Sequence, residues 1–445
     1  MMRMRNVWLC TLGAVMLSGC ALFGGGAEKK AAVEADRAQR VPLIAADAEI
    51  KADPDRVDVA IFLPDPSLKQ DWPQRGAGPD KAAGHRIGAL DFKVDWKADA
   101  GKGTTKKSTL NAPPVSDGNT LYMIDASQTV RAFNVSNGDR VWVSKLEPLR
   151  KNDRIAYGGG VAIAGDKVIV ASGYGYVAAL DRNTGSEIWR QLMQAPVTGS
   201  PTVDDERIYV TTSNNEIYVL SLETGEVFWS DQAIAESARV LSAPSPALGD
   251  ELLVTPFSSG ELIAFLPANG RRLWSAVLTR GGRFTPISAI NDIAGSPVLS
   301  EGMVFAASQS GILAGIDQVS GTVSWRQSFG SIQTPAVSGQ FIFAVNTDSQ
   351  VACFDKNDGG ILWVTQLDRF KNEKKRKNRI VWTGPVVVSG KIVLASSEGH
   401  VVSLSPQTGE VLEDIKIGED IFIEPIVAGE RVILLSEDAK LIAIR

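Results

Sequence analysis

Few residue types in this sequence could carry out acid–base or nucleophilic catalysis. The chain has two histidines, His85 and His400, which lie far apart in the sequence. It contains no H-x-x-x-H, C-x-x-C or G-x-S-x-G motif and no Walker sequence. The Gly-rich stretch from Ala156 to Gly165 is not followed by a helix-start signal, so it does not predict a phosphate-binding loop. We therefore predict no catalytic residue, no metal site and no cofactor.

The thiol of Cys20 is a candidate for a different chemistry, acylation. Arg3 and Arg5 precede an apolar run that is too short to span a bilayer comfortably, and small residues come before Cys20. The sequence from Leu17 to Cys20 matches a bacterial lipoprotein signal, in which cleavage leaves the cysteine as an acylated N-terminus. We predict a signal peptide over residues 1–19, lipidation at Cys20, and a membrane-anchored protein that faces the periplasm. An ordinary signal peptide with an incidental cysteine is the alternative.

The net charge narrows the classes of partner that the chain could bind. The formal net charge is −5, and removal of residues 1–19, which hold two Arg and no acidic residue, would make it −7. A mildly acidic chain gives no reason to expect nucleic-acid binding.

After loss of Cys10 and acylation of Cys20, Cys353 would be left alone, so we expect no intramolecular disulfide. We interpret Cys353 as a small core residue on a strand.

Residues 20–90 differ in composition from the rest of the chain. They are rich in charged residues, Pro and Gly and show no apolar stripe. We predict that this stretch is a lipidated N-terminus followed by a flexible, largely extended tether.

From residue 91 to residue 445 the chain repeats itself. The pattern G-x-x-x-W occurs six times, and a seventh copy has Glu413 in place of Trp. The residue 28 positions before each end point is Pro in six of the seven copies, which marks a module of constant length. The glycine–tryptophan pairs are Gly138/Trp142, Gly185/Trp189, Gly225/Trp229, Gly270/Trp274, Gly321/Trp325 and Gly359/Trp363.

Each module is typical of four short antiparallel strands. Runs such as Arg207 to Ser213 and Glu216 to Leu222 are rich in β-branched and aromatic residues and are separated by turn residues. A last module opens at Pro425 without a fourth strand, whereas Phe92 to Trp96 form a lone strand before the first module. The sequence therefore predicts an all-β, eight-bladed β-propeller whose N-terminal strand closes the last blade. The repeated Trp should fill the space between neighbouring blades.

The stretch Ala179 to Trp189 resembles the PQQ-like propeller repeat of quinoprotein alcohol dehydrogenases. Eight such repeats behind a lipoprotein signal resemble the BamB family, the propeller lipoproteins of the outer-membrane β-barrel assembly machine. The resemblance covers residues 17–20 and about 90–445. It implies a non-enzymatic scaffold that assists folding and insertion of outer-membrane β-barrel proteins by binding the POTRA domains of BamA. Ala21 after the cysteine is not Asp, which by similarity to enterobacterial lipoproteins favours the outer membrane.

Two other functions stay open. A quinone (PQQ)-dependent periplasmic dehydrogenase would share the repeat, but those enzymes carry a vicinal cysteine pair and this sequence has none. A generic lipoprotein that binds peptide or cell wall is the third reading. Within the scaffold reading, the other components of the assembly complex are also expected partners. Unfolded outer-membrane protein strands are a further candidate, although a closed ring leaves few strand edges free.

The resemblance also implies a contact site. In the BamB family the POTRA contact is attributed to two neighbouring connections, which correspond here to Glu236–Pro246 and Ala289–Val298. Arg239 aligns with the family's interacting arginine and Asp292 with one of its acidic residues. Arg239 can offer a forked donor, and Asp292 can accept from an N–H group or a lysine. The alternative is that both are only solvated loop residues.

This chain departs from the family pattern near both residues. Ala294 stands where a second acidic residue would be, and Glu236 and Ala238 stand where leucines would be. The contact is therefore expected to differ in detail.

A second long connection, Val364 to Gly384, is strongly basic on an acidic protein. Lys375 and Arg376 lie at its centre, and we predict that they bind an acidic partner surface or lipid phosphates. The alternative is a solvated loop without a partner. The basic residues of the connection are Lys371, Lys374, Lys375, Arg376, Lys377 and Arg379.

Overall fold

Short strands arranged in antiparallel sheets make up most of the protein. The computed structural model describes residues 50–56, 58–88, 91–150, 156–234, 244–279 and 292–445. Within these ranges there are 37 strands and two single-turn 3-10 helices, Pro54–Arg56 and Glu373–Lys375. In the described ranges, no helix has the length and apolar character needed to cross a membrane.

The strands of the N-terminal half follow in chain order. The first three are β1 (His85–Arg86), β2 (Val94–Asp99) and β3 (Ser108–Thr109). Blade 1 contains β4 (Val115–Ser116), β5 (Thr120–Ile124), β6 (Thr129–Asn134) and β7 (Arg140–Lys145). After the short β8 (Ala156–Tyr157), blade 2 contains β9 (Gly159–Ala164), β10 (Lys167–Ser172), β11 (Tyr176–Asp181) and β12 (Glu187–Leu192). Blade 3 contains β13 (Thr202–Val203), β14 (Arg207–Thr211), β15 (Glu216–Ser221) and β16 (Val227–Gln232). Blade 4 contains β17 (Ala247–Leu248), β18 (Leu253–Pro256), β19 (Glu261–Phe265) and β20 (Arg272–Val277).

The C-terminal half repeats this order. Blade 5 contains β21 (Val298–Ser300), β22 (Met303–Ser308), β23 (Ile312–Asp317) and β24 (Val323–Gln327). Blade 6 contains β25 (Ala336–Ser338), β26 (Phe341–Val345), β27 (Gln350–Asp355) and β28 (Ile361–Gln366). A separate hairpin of β29 (Phe370–Asn372) and β30 (Lys377–Arg379) follows. Blade 7 contains β31 (Trp382–Val388), β32 (Lys391–Ser396), β33 (His400–Leu404) and β34 (Val411–Lys416). Blade 8 contains β35 (Ile426–Ala428), β36 (Arg431–Leu435) and β37 (Lys440–Ile444).

The ring closes as the sequence predicts. The N-terminal strand β2 pairs antiparallel with β37, with Val94 opposite Ile444 and Asp99 opposite Lys440. It thus becomes the outermost strand of blade 8, which has the order β2-β37-β36-β35. The predicted eight-bladed propeller of four-stranded antiparallel sheets is confirmed, and β1 adds a fifth strand to blade 7 by parallel pairing with β31. The core lies between the blades, where buried side chains of neighbouring sheets form shared clusters.

Neighbouring blades are joined by a tryptophan of one blade and a glycine of the next. The indole of Trp142 covers Gly185, where an added Cβ would lie 2.6 Å from the indole Cε3. The Trp142 Nε1–H donates to the backbone oxygen of Arg182 at 2.9 Å, in the same turn. The glycine and tryptophan of one module therefore serve two different junctions. The seven contacts are Trp96–Gly138, Trp142–Gly185, Trp189–Gly225, Trp229–Gly270, Trp274–Gly321, Trp325–Gly359 and Trp363–Gly409.

The junction between blades 7 and 8 is made differently. In blade 8 the fourth strand comes from the N-terminal side of the ring, so no turn joins a third strand to a fourth and no docking glycine is offered. Glu413 stands at the tryptophan position of blade 7, where it binds Lys391 Nζ at 2.6 Å and accepts a hydrogen bond from the Ser403 hydroxyl. Burial acts to raise the pKa of Glu413, but these bonds outweigh it and lower the pKa. A polar cluster thus replaces the indole where the indole would have nothing to dock on.

The prediction of a flexible tether up to residue 90 is wrong for the part that the structure describes. Residues 50–56 and 58–88, which we call the strap, pack against the ring, and Ile61 and Trp72 are buried. The backbone of Trp72 exchanges two hydrogen bonds with Ser116, at 2.7 and 2.8 Å. The composition was misleading because the strap obtains its order from distant strands rather than from its own periodicity. The rest of the predicted tether, including Cys20, and the predicted signal peptide lie outside the described residues.

The strap is hydrogen-bonded to every blade. Seven of its partners lie in the innermost strand of a blade or directly after it, so the strap closes one end of the central channel. The strap residues and their partners in blades 1 to 8 are, in order, Trp72–Ser116, Pro73–Ile163, Gln74–Val203, Pro79–Leu248, Asp80–Leu299, Asp53–Ile361, Arg86–Ser389 and Gln70–Gly429.

Lys81, a residue of the strap, is 2% exposed. Its Nζ donates to Gln74 Oε1 at 3.4 Å. Burial lowers the pKa of Lys81 to about 7; Arg75 acts in the same direction, whereas Asp80 and Glu424 oppose it. The strap therefore carries an amine that is much easier to deprotonate than an ordinary lysine.

The burial of Lys81 predicts a pH dependence of stability. In the unfolded chain a lysine stays protonated up to about pH 10.4, whereas in the folded protein the pKa of Lys81 is about 7. Between these values the unfolded state binds more protons, so the free energy of unfolding should rise with pH and be independent of this group below about pH 7. Lys81→Met should remove the rise, and Lys69→Met, at an exposed lysine of the strap, should keep it. Denaturant unfolding across this pH range tests this, and an unchanged profile in Lys81→Met would contradict it.

The docking of indole on glycine gives a second prediction. Gly225→Ala and Gly302→Ala place a methyl group at similar φ, +77° and +81°. Nothing lies within 4 Å of the new Cβ at Gly302, so we expect only the backbone cost of about 1–2 kcal/mol. At Gly225 the Cβ would lie 2.6 Å from Trp189 Cε3, which should add about 1–3 kcal/mol. Urea unfolding followed by Trp fluorescence measures both losses, and equal losses would count against the docking role.

Candidate partner-binding face

The two faces of the ring carry different structures. In an antiparallel four-stranded blade, the turns after the first and third strands lie at one end. The turn after the second strand and the connection to the next blade lie at the other end. The strap binds Ser389 and Gly429, which follow first strands, so it occupies the first of these faces. We call the opposite one the connection face. The described parts of the three segments that the sequence singles out belong to connections between blades, so they lie on this face.

Asp292 lies on the connection face but is largely buried, with 4% exposure. Its backbone oxygen accepts a hydrogen bond from the Gln309 amide at 3.0 Å, and nearby Ala294 is fully buried. The alternative of a solvated loop residue is therefore wrong for Asp292. Its burial also leaves little of Asp292 for direct contact with a partner. Arg239 lies outside the described residues, as do Glu236 and Ala238, so its contact stays a prediction.

Lys375 and Arg376 lie at the tip of the hairpin formed by β29 and β30. The turn is fixed by Asn372, whose Oδ1 accepts from the Lys375 amide at 3.0 Å. Arg376 adopts a left-handed conformation with φ of 47°, which closes the 3-10 turn. Both side chains are exposed. The connection that the sequence predicts only as a basic loop is thus a defined hairpin.

Ion pairs hold the base of this hairpin on the ring. Asp348, in a turn of blade 6, binds Arg369 at 2.7 Å and Arg379 at 2.9 Å. Lys371 Nζ lies 2.6 Å from a carboxylate oxygen of Glu398, in a turn of blade 7. The hairpin is therefore fastened to two blades at its base.

Two adjoining cavities open on the connection face. The first, of about 240 Å³, is bordered by the hairpin residues Arg379 and Ile380 and by Gln309. The second, of about 300 Å³, lies at the mouth of the central channel, and Gln333 lines both cavities. Gln309 Oε1 is buried without a hydrogen-bond partner. The connection face thus offers concave polar surface beside the hairpin.

The floor of the second cavity contains a pair that sequence reasoning missed. Arg75 of the strap forms two hydrogen bonds with the Glu424 carboxylate, at 2.8 and 3.2 Å. The residues are 349 positions apart, so no local pattern connects them. At the same mouth, burial and the neighbouring Asp420 and Asp438 raise the pKa of Glu437. The channel mouth is therefore acidic, whereas the hairpin is basic.

Comparison with known families identifies the group to which this ring belongs. The profile of a family described as "Outer membrane protein assembly factor BamB" matches residues 126–365 and 365–445, well over half of the chain. The chain belongs to the BamB family. The BamB of Escherichia coli (strain K12) is 26% identical over 355 residues, which cover 78% of this chain and 88% of that protein. The BamB of Moranella endobia (strain PCIT) is 24% identical over 338 residues, covering 75% and 85%.

Solved structures agree on the fold. The crystal structure of BamB from Moraxella catarrhalis superposes with a TM-score of 0.61 at 20% identity, covering 78% of this chain and 97% of that one. Quinohemoprotein alcohol dehydrogenase from Comamonas testosteroni superposes with a TM-score of 0.65 at 13% identity, covering 85% and 81%. At these identities the likeness concerns the fold alone. BamB-family membership, together with the propeller, confirms the resemblance that the repeats and the lipoprotein signal indicate.

The part of the chain that the structure describes shows no group of residues that fits the site of a quinone-dependent dehydrogenase. Within the described ranges, no three His, Cys, Asp or Glu side chains come together in a group that could hold a metal ion. Cys353, the cysteine inside the ring, is fully buried, and burial raises the pKa of its thiol well above the ordinary value. It has no neighbouring cysteine in the sequence. We therefore derive no redox step from this chain.

The hairpin geometry predicts a local change in stability. Glu373 Oε1 accepts from the backbone amides of Arg369 at 3.1 Å and Phe370 at 3.0 Å. Glu373→Ala removes both acceptors, so hydrogen exchange at these amides should become about tenfold faster. Glu410→Ala, at an exposed carboxylate elsewhere, should leave them unchanged. Exchange measured by mass spectrometry tests this, and equal protection in the two variants would show that Glu373 does not order the hairpin.

Proposed function

We propose that this protein is a non-enzymatic scaffold lipoprotein that assists the folding and insertion of outer-membrane β-barrel proteins. In this proposal it binds the POTRA domains of BamA through the connection face and belongs to the same complex as the other assembly factors. The match of the BamB family profile over residues 126–445 carries the proposal, because it includes nearly the whole ring. The names of the relatives describe outer membrane protein assembly factors.

The form of the ring is consistent with a scaffold. Eight blades give a rigid body whose connections can vary without disturbing the core, which is how a repeat fold presents a binding surface. The strap bonds to Ser389 and Gly429 on the opposite face. A large partner can therefore approach the connection face without displacing the strap.

Arg239 is the residue that we propose to contact BamA directly. Its guanidinium would donate to a carboxylate or to carbonyl groups at a strand edge of a POTRA domain. Asp292, because it is buried, would act by holding its connection in shape rather than by touching the partner.

We also propose that Cys20 is acylated and that the ring stands on the periplasmic face of the outer membrane. The lipoprotein signal from Leu17 to Cys20 supports this, and Ala21 favours outer-membrane sorting. Several acyl chains contribute roughly 0.8 kcal/mol per buried CH₂, which is sufficient for stable anchoring.

The contact can be tested in the cells that make the protein. Extraction of the tagged, lipidated protein in mild detergent should recover a POTRA-containing barrel protein in stoichiometric amount. Arg239→Glu should reduce that recovery by about tenfold or more, because it reverses the charge at a proposed anchor residue. Arg271→Glu, at an exposed arginine on the opposite face, is the matched control and should leave the recovery of the partner unchanged. Quantitative mass spectrometry of the eluate gives the readout.

Two outcomes would contradict the proposal in different ways. If the wild-type protein recovers no POTRA-containing partner, the scaffold function fails. If Arg239→Glu recovers as much partner as Arg271→Glu, the function stands and the contact must lie elsewhere on the ring.

A further inference from the structure

Four consecutive cations extend from the tip of the β29–β30 hairpin. We call Lys374, Lys375, Arg376 and Lys377 the basic tip, and all four side chains are exposed. Among the described residues none of them has an acidic partner. The cations at the base of the hairpin differ, since Arg369, Lys371 and Arg379 are each paired with a carboxylate of the ring. The cations at the base of the hairpin thus anchor it to the ring, whereas the cations of the basic tip remain available to another molecule.

The basic tip is held in a defined shape. Asn372 and Glu373 accept backbone amide hydrogen bonds on the inner side of the turn. At the base, Ile380 donates its amide to Arg369 at 2.8 Å, and Trp382 Nε1 donates to Asp368 at 3.0 Å. Holding like charges close together on an ordered turn is unfavourable in isolation, and a negative counterpart would relieve it. Such order also lowers the entropy that binding would cost.

Two observations favour a protein surface over a membrane as that counterpart. The hairpin is part of the connection between blades 6 and 7, so it lies on the same face as Asp292 and the proposed BamA contact. None of the large apolar side chains exposed in the described residues lies between 364 and 384. Elements that insert into a lipid interface combine basic residues with exposed apolar ones. The guanidinium fork of Arg376 suits carboxylates and phosphates alike, so the position of the hairpin and its lack of exposed large apolar side chains are what favour a protein surface.

We infer that the basic tip docks on an acidic patch of a protein partner that covers the connection face. The inference rests on the proposed function in that the patch is assigned to the POTRA domains of BamA. The tip provides a second point of attachment, distant in sequence from Arg239. A contact of this kind steers association and weakens as ionic strength rises.

The test compares two variants with the same loss of charge. In the first, Lys374, Lys375, Arg376 and Lys377 are each replaced by Gln. In the second, four exposed cations of the outer strands and their flanking turns are replaced by Gln, namely Lys93, Arg140, Arg271 and Lys416. Both are made in the full-length lipidated protein in detergent. Affinity for the purified periplasmic POTRA domains of the same bacterium's BamA is measured at about 50 and about 200 mM NaCl. Co-sedimentation with phosphatidylethanolamine vesicles, with and without phosphatidylglycerol, is measured in parallel without detergent, on forms of the wild type and both variants that begin at Ala21 and so carry no acyl chains.

The basic-tip variant should bind the POTRA domains about tenfold more weakly at low salt and should lose most of the salt dependence. The outer-strand variant should bind within about twofold of the wild type. Equal affinity and salt dependence in both variants would overturn the inference while leaving the proposed function intact. Loss of binding to anionic vesicles, with POTRA binding unchanged, would also overturn it and assign the tip to lipid. If the wild type does not bind POTRA domains at all, both proposals fail.

Discussion

The contact between an indole ring and a residue without a side chain holds this ring together. Each tryptophan needs a flat place on the next blade, and a glycine at φ near +74° provides it, because even one methyl group would enter the indole. The indole also donates one hydrogen bond to a carbonyl of the same turn, so position and orientation are both fixed. This explains why the glycine and the tryptophan occur at a constant spacing although they never touch within one module. Blades 1 to 6 each present one glycine to the blade before and one indole to the blade after, whereas blade 7 presents only the glycine and blade 8 only the indole.

The closing strand imposes a constraint on this scheme. Because β2 arrives from the N-terminal side, blade 8 has no turn between its third and fourth strands, and blade 7 therefore has no glycine to dock on. Glu413, Lys391 and Ser403 form a polar contact there instead. The strap adds contacts to the two blades of this junction, since β1 pairs with β31 of blade 7 and Gln70 binds Gly429 of blade 8. A segment that composition marks as a linker thus belongs to the architecture.

What could be predicted from the sequence followed from periodicity. Modules of constant length with alternating strands and turns predict the blades, and a lone strand before the first module predicts the closure. The strap could not be predicted in this way, because its partners are far away in sequence and its order comes from their free backbone groups. Asp292 was expected to meet a partner because it aligns with an acidic residue of the BamB family, yet it is largely buried. The basic run at Lys375 and Arg376 was visible as charge, but its hairpin was not, since β29 and β30 are only three residues each.

The route of the strap decides where a mechanical load would enter the ring. Among the described residues, the strap first binds the ring at blade 6, where Asp53 bonds to Ile361 and Arg56 pairs with Asp355 and Asp358. Both junctions of blade 6 carry a docked indole, and Trp325 and Trp363 are the most deeply buried of the docked tryptophans. The strap reaches the junction between blades 7 and 8, where Glu413 stands in place of the tryptophan, only farther along the chain. A pull from the proposed lipid anchor would therefore reach a blade with a docked indole at both of its junctions before it reached the junction that a polar cluster makes.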